Sequence, residues 1–248
     1  MWAMTIALAL AALLAVPAAA TDDAGSLIIA CQAATANRAA FRRELEDSGA
    51  RQLQRWKDEG ALQAYQLLFS RHVDSRGWDA MAILTLKDAA RWKKIEREFP
   101  AGLPANVLAL TSAIETVPAS LVRHGVHAKA TEPVFLVIPY EVVVPTPEYV
   151  AYLDDYVLPQ FDGWAEAGVL ASHAVYLARY PAGRAWQSLL VLEYRSDQAL
   201  ATRDAVLAKV RAHLAVNAKW KAMSENKKKV RAEKAPVLAD PAAARQIP

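Results

Sequence analysis

Three residues on two neighbouring predicted strands could together perform acid–base chemistry: His173, Glu193 and Arg179. A histidine titrates near neutral pH and can act as a general base, and a carboxylate beside it can orient it. An arginine at the same site would stabilise negative charge developing on a substrate. These residues form the predicted catalytic set. The alternative is structural: a histidine satisfied inside the core and an arginine–glutamate ion pair.

Four residues are predicted to bind a ligand: Tyr65, Arg71, Arg179 and Gln187. The two arginines lie at equivalent places near strand ends, and a guanidinium group can hold a carboxylate through two parallel hydrogen bonds. Two such arginines related by pseudo-twofold symmetry could bind an anion. The alternative is that each arginine neutralises a nearby acid or bonds to free carbonyl groups.

Alternation along the predicted strands places these residues on one face of each sheet, which we expect to line the interior of a barrel. This face mixes polar and apolar side chains, as the wall of a ligand cavity does. The predicted interior residues are Tyr65, Leu67, Phe69, Arg71, Asp79, Met81, Ile83 and Thr85 in the first half, and His173, Val175, Leu177, Arg179, Gln187, Leu189, Val191 and Glu193 in the second.

Other groups of residues give weaker indications of chemistry. His124 and His127 are the one close pair of histidines in the sequence, and two histidines alone do not predict a metal site, so no metal is expected. With nine glycines, the chain has no phosphate-binding glycine loop. Four tryptophans are predicted to be hydrophobic anchors rather than a stacking surface: Trp56, Trp78, Trp164 and Trp186.

An internal repeat positions all of these residues. Shifting the sequence by 108 residues aligns Trp56, Gly60, Leu62, Arg71, Arg76 and Trp78 with Trp164, Gly168, Leu170, Arg179, Arg184 and Trp186, without a gap. Such self-similarity is typical of a chain built from two copies of one structural unit. The predicted domains are a signal peptide at 1–20 and two ferredoxin-like repeats at 26–133 and 134–241.

Each repeat is predicted to contain four strands and two helices in the order β-α-β-β-α-β. The predicted strands are 27–34, 61–72, 78–86 and 118–127 in the first repeat and 134–144, 169–180, 186–194 and 227–238 in the second. In each repeat a helix ends at the matched glycine, Gly60 or Gly168, and Thr146 is the expected N-cap of the second of these helices. The predicted fold class is α+β, with two tandem ferredoxin-like βαββαβ repeats packed as an intramolecular α/β barrel.

With these matched tryptophans, glycines and hairpins, the chain resembles the tandem, two-repeat form of the dimeric α/β-barrel superfamily, without a close match to one subfamily. That superfamily includes NIPSNAP-like proteins and antibiotic-biosynthesis-type monooxygenases. The resemblance implies two four-stranded sheets packed face to face, and it selects no activity. The superfamily also includes haem-degrading monooxygenases and chlorite-dismutase-like haem enzymes, and the proximal histidine of the latter lies on a helix. His173 lies on a predicted strand, so no cofactor is predicted, with haem as the alternative.

Composition excludes several classes of protein. The 248 residues are 54% hydrophobic, which excludes a disordered chain and provides a large core. A net charge of +3 is too small to indicate nucleic-acid binding. Cys31, the single cysteine, cannot form an internal disulfide and is predicted to be buried. The basic segment 219–231 is predicted to be a solvated helix end and edge strand rather than a contact to a membrane or polyanion.

The first 20 residues predict export. They carry no charge, and an apolar run at 6–16 is followed by Pro17 and three alanines. This order is typical of a secretory signal peptide and its cleavage site. We expect cleavage after Ala20 and a secreted or periplasmic mature protein with no membrane span, and the alternative is a retained N-terminal anchor.

Three functions remain open from the sequence. The first is binding of a small apolar or anionic molecule between the two sheets. The second is a cofactor-free enzyme of the monooxygenase or isomerase type, in which His173 would activate the substrate, and the third is a haem-dependent enzyme. The first is favoured because no acid–base constellation is duplicated or tightly spaced in the sequence. The expected partner is a small molecule and not nucleic acid; the two repeats form a pseudo-dimer, and association of further chains is left open.

Overall fold

The computed structural model describes residues 25–73 and 77–242, which form two successive units; the predicted signal peptide at 1–20 lies outside them. The first unit contains β1 (Ser26–Ala33), α1 (Arg38–Glu44), α2 (Ala50–Asp58), β2 (Leu62–Ser70), β3 (Ala80–Leu86), α3 (Ala89–Glu98), α4 (Ala105–Leu108) and β4 (Thr111–Val126). The second contains β5 (Val134–Val142), α5 (Thr146–Tyr152), α6 (Leu158–Glu166), β6 (Leu170–Ala178), β7 (Ser188–Tyr194), α7 (Asp197–Ala201), α8 (Arg203–Leu214), α9 (Ala218–Asn226), β8 (Arg231–Glu233) and β9 (Val237–Pro241).

Eight antiparallel strands close into one barrel. Their order is β7-β6-β4-β1-β3-β2-β9-β5, and pairing of β5 with β7 completes the ring. The units meet where β4 pairs with β6 and where β2 pairs with β9, while β8 lies outside the ring on β5. The predicted α+β fold of two ferredoxin-like repeats in an intramolecular barrel is therefore confirmed. The exact repeat bounds, 26–133 and 134–241, stay a prediction.

Apolar side chains form three layers. One fills the barrel, and the other two lie between the outer face of each unit's strands and its own helices. Cys31 is 3% exposed beneath the first unit's helices, which confirms the buried thiol, and this burial raises its pKa to about 12. Trp56 and Trp164 lie in the two outer layers, as predicted for anchors. No helix within the described ranges is both long and apolar enough to cross a membrane.

The long first helix of each unit widens at the same place in the repeat. A π-helical turn follows α1 at Leu45–Gly49, and another follows α5 at Leu153–Val157. Leu45 and Leu153 begin these turns and are 2% and 0% exposed, so each turn seats a leucine in an outer layer. After α2 and α6 the chain turns at Gly60 and Gly168, whose φ angles of 78° and 77° confirm the predicted glycine ends.

The structure differs from the predicted elements at three places. Thr146 is the first helical residue of α5, and Pro145 occupies the cap position without a side-chain hydrogen bond. The strand predicted at 118–127 begins at Thr111, because its first part pairs with β1 and its last part crosses to β6. The strand predicted at 227–238 is instead a turn at Lys227–Lys229 followed by two short strands.

Register places β6 with the opposite face inward from the one predicted. Tyr176 lies opposite Leu189, and both line the barrel interior. His173 lies opposite Leu192 and faces the helices with Val175. A change of one residue in register exchanges the two faces of a strand, and the sequence does not determine the register of this hairpin.

The same exchange occurs in the first unit. Leu67 and Phe69 of β2, predicted to face inward, lie with Tyr65 in the outer layer, and Leu68 faces the interior. Met81 of β3 faces inward as predicted. The predicted inward face is therefore correct for β3 and wrong for β2. The same holds for β7 and β6, because the two hairpins have the same register.

Candidate functional site

At one end the barrel opens into a cavity of about 420 Å³, called the mouth cavity below. Trp78 and Trp186 stand at corresponding places just before β3 and β7, and both line this cavity. Trp186 is 5% exposed and packs in the barrel interior, whereas Trp78 is half-buried. The repeat thus brings two tryptophans, one from each unit, to a single opening.

The wall of the mouth cavity is mainly apolar, with Ala30, Met81, Ala113, Ile114, Pro139, Leu189 and Val237 beside the tryptophans. Its polar side chains are bound to main-chain groups. Glu115 accepts a hydrogen bond from the Ala185 N–H at 2.9 Å, Lys234 donates to the Ala185 carbonyl at 2.6 Å, and Gln32 donates to the Gly77 carbonyl. The cavity therefore offers an aromatic and aliphatic surface with a polar rim, which suits an apolar molecule that carries an aromatic ring.

The three predicted catalytic residues lie apart. The ring of His173 packs outside the barrel wall, with its centroid 4.9 Å from that of Phe161. Glu193 lies opposite Ser172, whose hydroxyl donates to it, on the other face of the sheet. Arg179 is exposed, and its Nε donates to a serine hydroxyl of β4 at 3.0 Å. The arrangement provides no shared position where a substrate could touch both His173 and Glu193.

The side-chain partner of His173 is His127, which the sequence analysis did not connect to it. Nε2 of His127 lies 3.1 Å from Nδ1 of His173. Burial, with smaller contributions from the charges of His127 and His124, lowers the pKa of His173 to about 4, so its imidazole is neutral at pH 7. The pair has no third ligand: within the described ranges no group of three His, Cys, Asp or Glu side chains could hold a metal ion.

Gly125 makes room for this pair. It lies opposite His173 in the β4–β6 pairing, and a Cβ at this position would stand 2.5 Å from Cε1 of the imidazole. A side chain there would displace the ring. The sequence signal was the close spacing of His124 and His127 at the end of a predicted strand, but nothing in the sequence indicated that this strand pairs with the one carrying His173.

Arg71 and Arg179 lie at the two different junctions between the units. The main-chain N–H of Arg71 donates to the carbonyl of Leu238 in β9, and that of Arg179 donates to the carbonyl of Pro118 in β4. These junctions are half a ring apart, so the two arginines do not converge on one anion. The side chain of Arg71 is taken up by ion pairs with two carboxylates of the second unit, Asp197 and Asp240.

The other two predicted ligand-binding residues also have partners within the protein. Tyr65 donates to Gln54 of α2 at 3.1 Å on the helix side of the sheet. Gln187 accepts from the Val142 N–H at 2.6 Å and so binds the end of β5. Each of these contacts holds secondary-structure elements together.

Besides the shared mouth cavity, each unit has a cavity of its own between its first helix and its hairpin, which we call its helix–hairpin cavity. It measures about 340 Å³ in the first unit, with Arg38, Arg42, Phe69, Arg71 and Asp79 in its wall, and about 160 Å³ in the second, with Thr146, Tyr149, Leu177, Pro181 and Gln187. Arg38 and Asp79 form an ion pair at 2.7 Å, and the corresponding residues of the second unit are Thr146 and Gln187. The two cavities correspond in position and differ in size and charge.

The resemblance implies haem for the chlorite-dismutase-like members of the superfamily, but no histidine of the described ranges is placed to bind a haem iron. The buried imidazole of His173 is enclosed by Phe161 and His127. His213 lies on a helix, α8, but it is exposed. The mouth cavity and the two helix–hairpin cavities have no histidine in their walls. No described histidine therefore offers a protected axial ligand to a haem iron.

No protein-family model and no curated protein matches the sequence. Solved structures do match the fold. A proposed monooxygenase of Lactobacillus acidophilus NCFM has a TM-score of 0.57 and 11% sequence identity, over 89% of this chain and 95% of the other. A proposed monooxygenase of Fusobacterium nucleatum gives a TM-score of 0.53 and 8% identity, over 88% and 92%.

A haem-binding protein of Thermus thermophilus matches with a TM-score of 0.51 and 10% identity, over 88% of this chain and 90% of the other. At such identities the likeness concerns the backbone arrangement and leaves the activity open. The matches cover 88–89% of this chain, so the likeness extends over both units. The chain has the fold of the dimeric α/β-barrel superfamily, with both halves of the barrel in one polypeptide.

Proposed function

We propose that this protein binds a small, planar and largely apolar molecule in the mouth cavity, between the two ferredoxin-like sheets. The observation that carries the proposal is the pair Trp78 and Trp186 on the wall of one open cavity of about 420 Å³. Aromatic rings bind flat apolar molecules through stacking and through removal of apolar surface from water. The polar rim at Glu115 and Lys234 would orient a ligand that carries one polar substituent.

Binding is favoured over a cofactor-free enzyme by the positions of the polar groups. His173 and Glu193 lie on opposite faces of the sheet, and neither lines the mouth cavity. A monooxygenase-type activity remains the second candidate, supported by the two structural neighbours described above as proposed monooxygenases. In that case the bound molecule would itself be the substrate, and its reaction would depend on groups other than His173.

Export is also part of the proposed function. The uncharged apolar segment before Asp22 supports a signal peptide, and a protein working outside the cytoplasm would meet its ligand there. The mass of the mature protein from its own cells tests this directly. Loss of residues 1–20 is the expected result, and an intact N-terminus would contradict it.

Tryptophan fluorescence tests ligand binding. Menadione, a small naphthoquinone, is expected to quench the fluorescence in a saturable way when it stacks on the tryptophans. Trp78→Ala removes the more exposed tryptophan from the wall of the cavity and should weaken binding by up to about tenfold, because one aromatic contact contributes roughly 0.5–1.5 kcal/mol. Ala113→Trp should obstruct the opening and weaken binding while leaving the buried layers unchanged.

Val216→Ser is the matched control, since Val216 is an exposed apolar residue, 86% accessible, away from the cavity. It should bind menadione as the wild type does. Equal quenching in all four proteins would place the probe elsewhere and contradict the proposal. A separate experiment identifies the natural ligand: an absorption spectrum of protein purified from its own cells, followed by extraction of the bound molecules.

A further inference from the structure

The second unit contains another cavity, of about 460 Å³, on the outside of the barrel. It lies between the aromatic first helix of that unit and the basic chain segment leading into β8. Its wall consists of Tyr140, Tyr156, Arg211, Lys227, Lys228, Arg231, Ala232 and Glu233, and we call it the Arg231 pocket. It shares no residue with the mouth cavity.

Positive charge dominates the Arg231 pocket. Four cationic side chains line it, and Glu233 is the one carboxylate in the wall. Glu233 accepts a hydrogen bond from the Tyr140 hydroxyl at 2.9 Å. None of the four cations forms an ion pair with a carboxylate of the described ranges, and with one carboxylate against four cations the wall carries a net positive charge.

Aromatic rings hold Arg231 in place. Its guanidinium carbon lies 3.9 Å from the ring centre of Tyr140 and 5.4 Å from that of Tyr152, and Nη1 reaches the Tyr149 hydroxyl at 3.4 Å. Stacking fixes the plane of the guanidinium group and leaves N–H donors at its edge free for another acceptor. Arg211 is likewise fixed, because its Nε donates to Gln160 at 3.0 Å.

Arg123 of β4, which matches Arg231 in sequence but lies at a different place in the fold, shows how an arginine is compensated elsewhere in this protein. Arg123, 108 residues earlier, is paired with both carboxylate oxygens of Asp154, at 2.5 Å each. Arg231 has aromatic neighbours instead of such a carboxylate. Withdrawing a guanidinium group from water without an anion is costly, and a bound oxyanion would supply the missing partner.

We propose that the Arg231 pocket binds the dianionic phosphoryl group of a small molecule. Two fixed arginines and two lysines provide more positive charge than a single carboxylate requires, and the guanidinium edge matches two phosphoryl oxygens. Tyr140 and Tyr156 give the pocket aromatic wall area, so it accepts an organic phosphomonoester as well as the free ion. This site is independent of the ligand proposed for the mouth cavity.

Titration calorimetry with inorganic phosphate, and separately with phenyl phosphate, tests the proposal at constant ionic strength in chloride. We expect saturable binding at one site per chain. Tighter binding of phenyl phosphate would indicate an organic phosphomonoester as the ligand, and equal binding would indicate the free ion; both support the pocket.

Lys227→Gln combined with Lys228→Gln should weaken phosphate binding by about tenfold, because two charge-assisted contacts are lost. Both lysines lie in a short turn outside the apolar layers, so the variant should fold. The matched control is Lys93→Gln with Lys94→Gln, which removes the same charge from the exposed face of α3 and should leave binding unchanged.

Arg231→Gln should abolish binding, provided that its melting temperature shows a folded protein. If this variant does not fold, the lysine variant decides the question. Absence of phosphate binding by the wild type would overturn the proposal, and so would equal weakening in the pocket variant and the α3 control, since that would indicate a general effect of net charge.

Discussion

The two units of the barrel share their packing anchors and differ in how their charges are compensated. Gly60 and Gly168 end the matched helices with nearly the same φ angle, and the π-helical turns start at matched leucines. By contrast, the arginines that match in sequence lie on strands that do not correspond: Arg123 of β4 is paired with Asp154, whereas Arg231 of β8 stacks on tyrosines. The shared features are those that a βαββαβ unit needs to fold, and the divergent ones lie at cavities.

The helix–hairpin cavities show the same division. Both units place a cavity at this position, but Arg38 and Asp79 occupy the first and Thr146 and Gln187 the second. Backbone geometry is therefore duplicated while the chemistry of the walls is not. Any ligand site in this barrel is expected to be asymmetric.

The largest effect is expected from the leucines that begin the π-helical turns. Leu45→Ala and Leu153→Ala should each lower the free energy of unfolding by about 2–5 kcal/mol, because each leaves a void in an outer apolar layer. Urea denaturation measures this, and a single transition is expected since both layers rest on one closed ring. A near wild-type result for one leucine alone would show that the units do not depend equally on this shared anchor.

Acid should destabilise the protein through the second unit. The pKa of His173 is about 4 in the folded protein against 6.5 ordinarily, so between these values the unfolded chain binds a proton that the folded chain does not. Stability from this group is complete above pH 6.5 and falls by up to about 3 kcal/mol as the pH drops toward 4. Denaturant titrations at several pH values should show this slope in the wild type and a shallower one in His173→Gln.

Tyr65 occupies the corresponding place in the first unit and provides the control for this acid effect. Tyr65→Phe removes the hydrogen bond to Gln54 without introducing or removing a group that titrates between pH 4 and 7. Its pH slope should equal that of the wild type. An unchanged slope in His173→Gln would assign the acid sensitivity to other groups.

The glycines that end the matched helices should contribute equally. Gly60→Ala and Gly168→Ala each force a side chain into the left-handed region, at a cost of about 1–2 kcal/mol. Nearest atoms to an added Cβ lie at 4.0 Å and 3.5 Å, so steric overlap adds little. Thermal denaturation of both variants measures the costs, and clearly unequal losses would mean that the two helix ends are not equivalent.

The smallest effect is expected from the ion pair between Arg123 of the first unit and Asp154 of the second. Asp154→Asn removes the carboxylate from Arg123, but both side chains are substantially exposed, so the loss should be about 0.5 kcal/mol. The arginine beside Asp154 also holds the pKa of that carboxyl below its ordinary value. A loss of several kcal/mol on denaturation would show that this pair holds the units together.

The fold was predictable because its evidence is local or repeated. The tryptophan and glycine positions recur at one spacing, and alternating apolar runs lie between them, so the order of elements follows from the sequence. The inward face of β6 could not be predicted from the sequence, because it depends on the register of the β6–β7 hairpin. His127 and His173 could not be connected either, since that contact requires the pairing of β4 with β6 across the units.

The cavities were predictable only in part. The sequence indicated that Trp78 and Trp186 were anchors, and Trp186 does pack in the core. Their meeting at one opening depends on ring closure. The sequence predicts a solvated basic segment at 219–231, yet Arg231 within it packs on the rings of Tyr140 and Tyr152. Charge alone does not show which cation of a run turns inward.

Because the ring closes within one polypeptide, the sequences of its two halves can diverge independently. In a barrel made of two separate identical chains, every substitution enters twice, and dilution separates the halves. Here the two units are joined by the short connection between β4 and β5, so each meets the other at a fixed effective concentration. A substitution alters one wall at a time, and one unit can acquire a specialised pocket while the other preserves the scaffold.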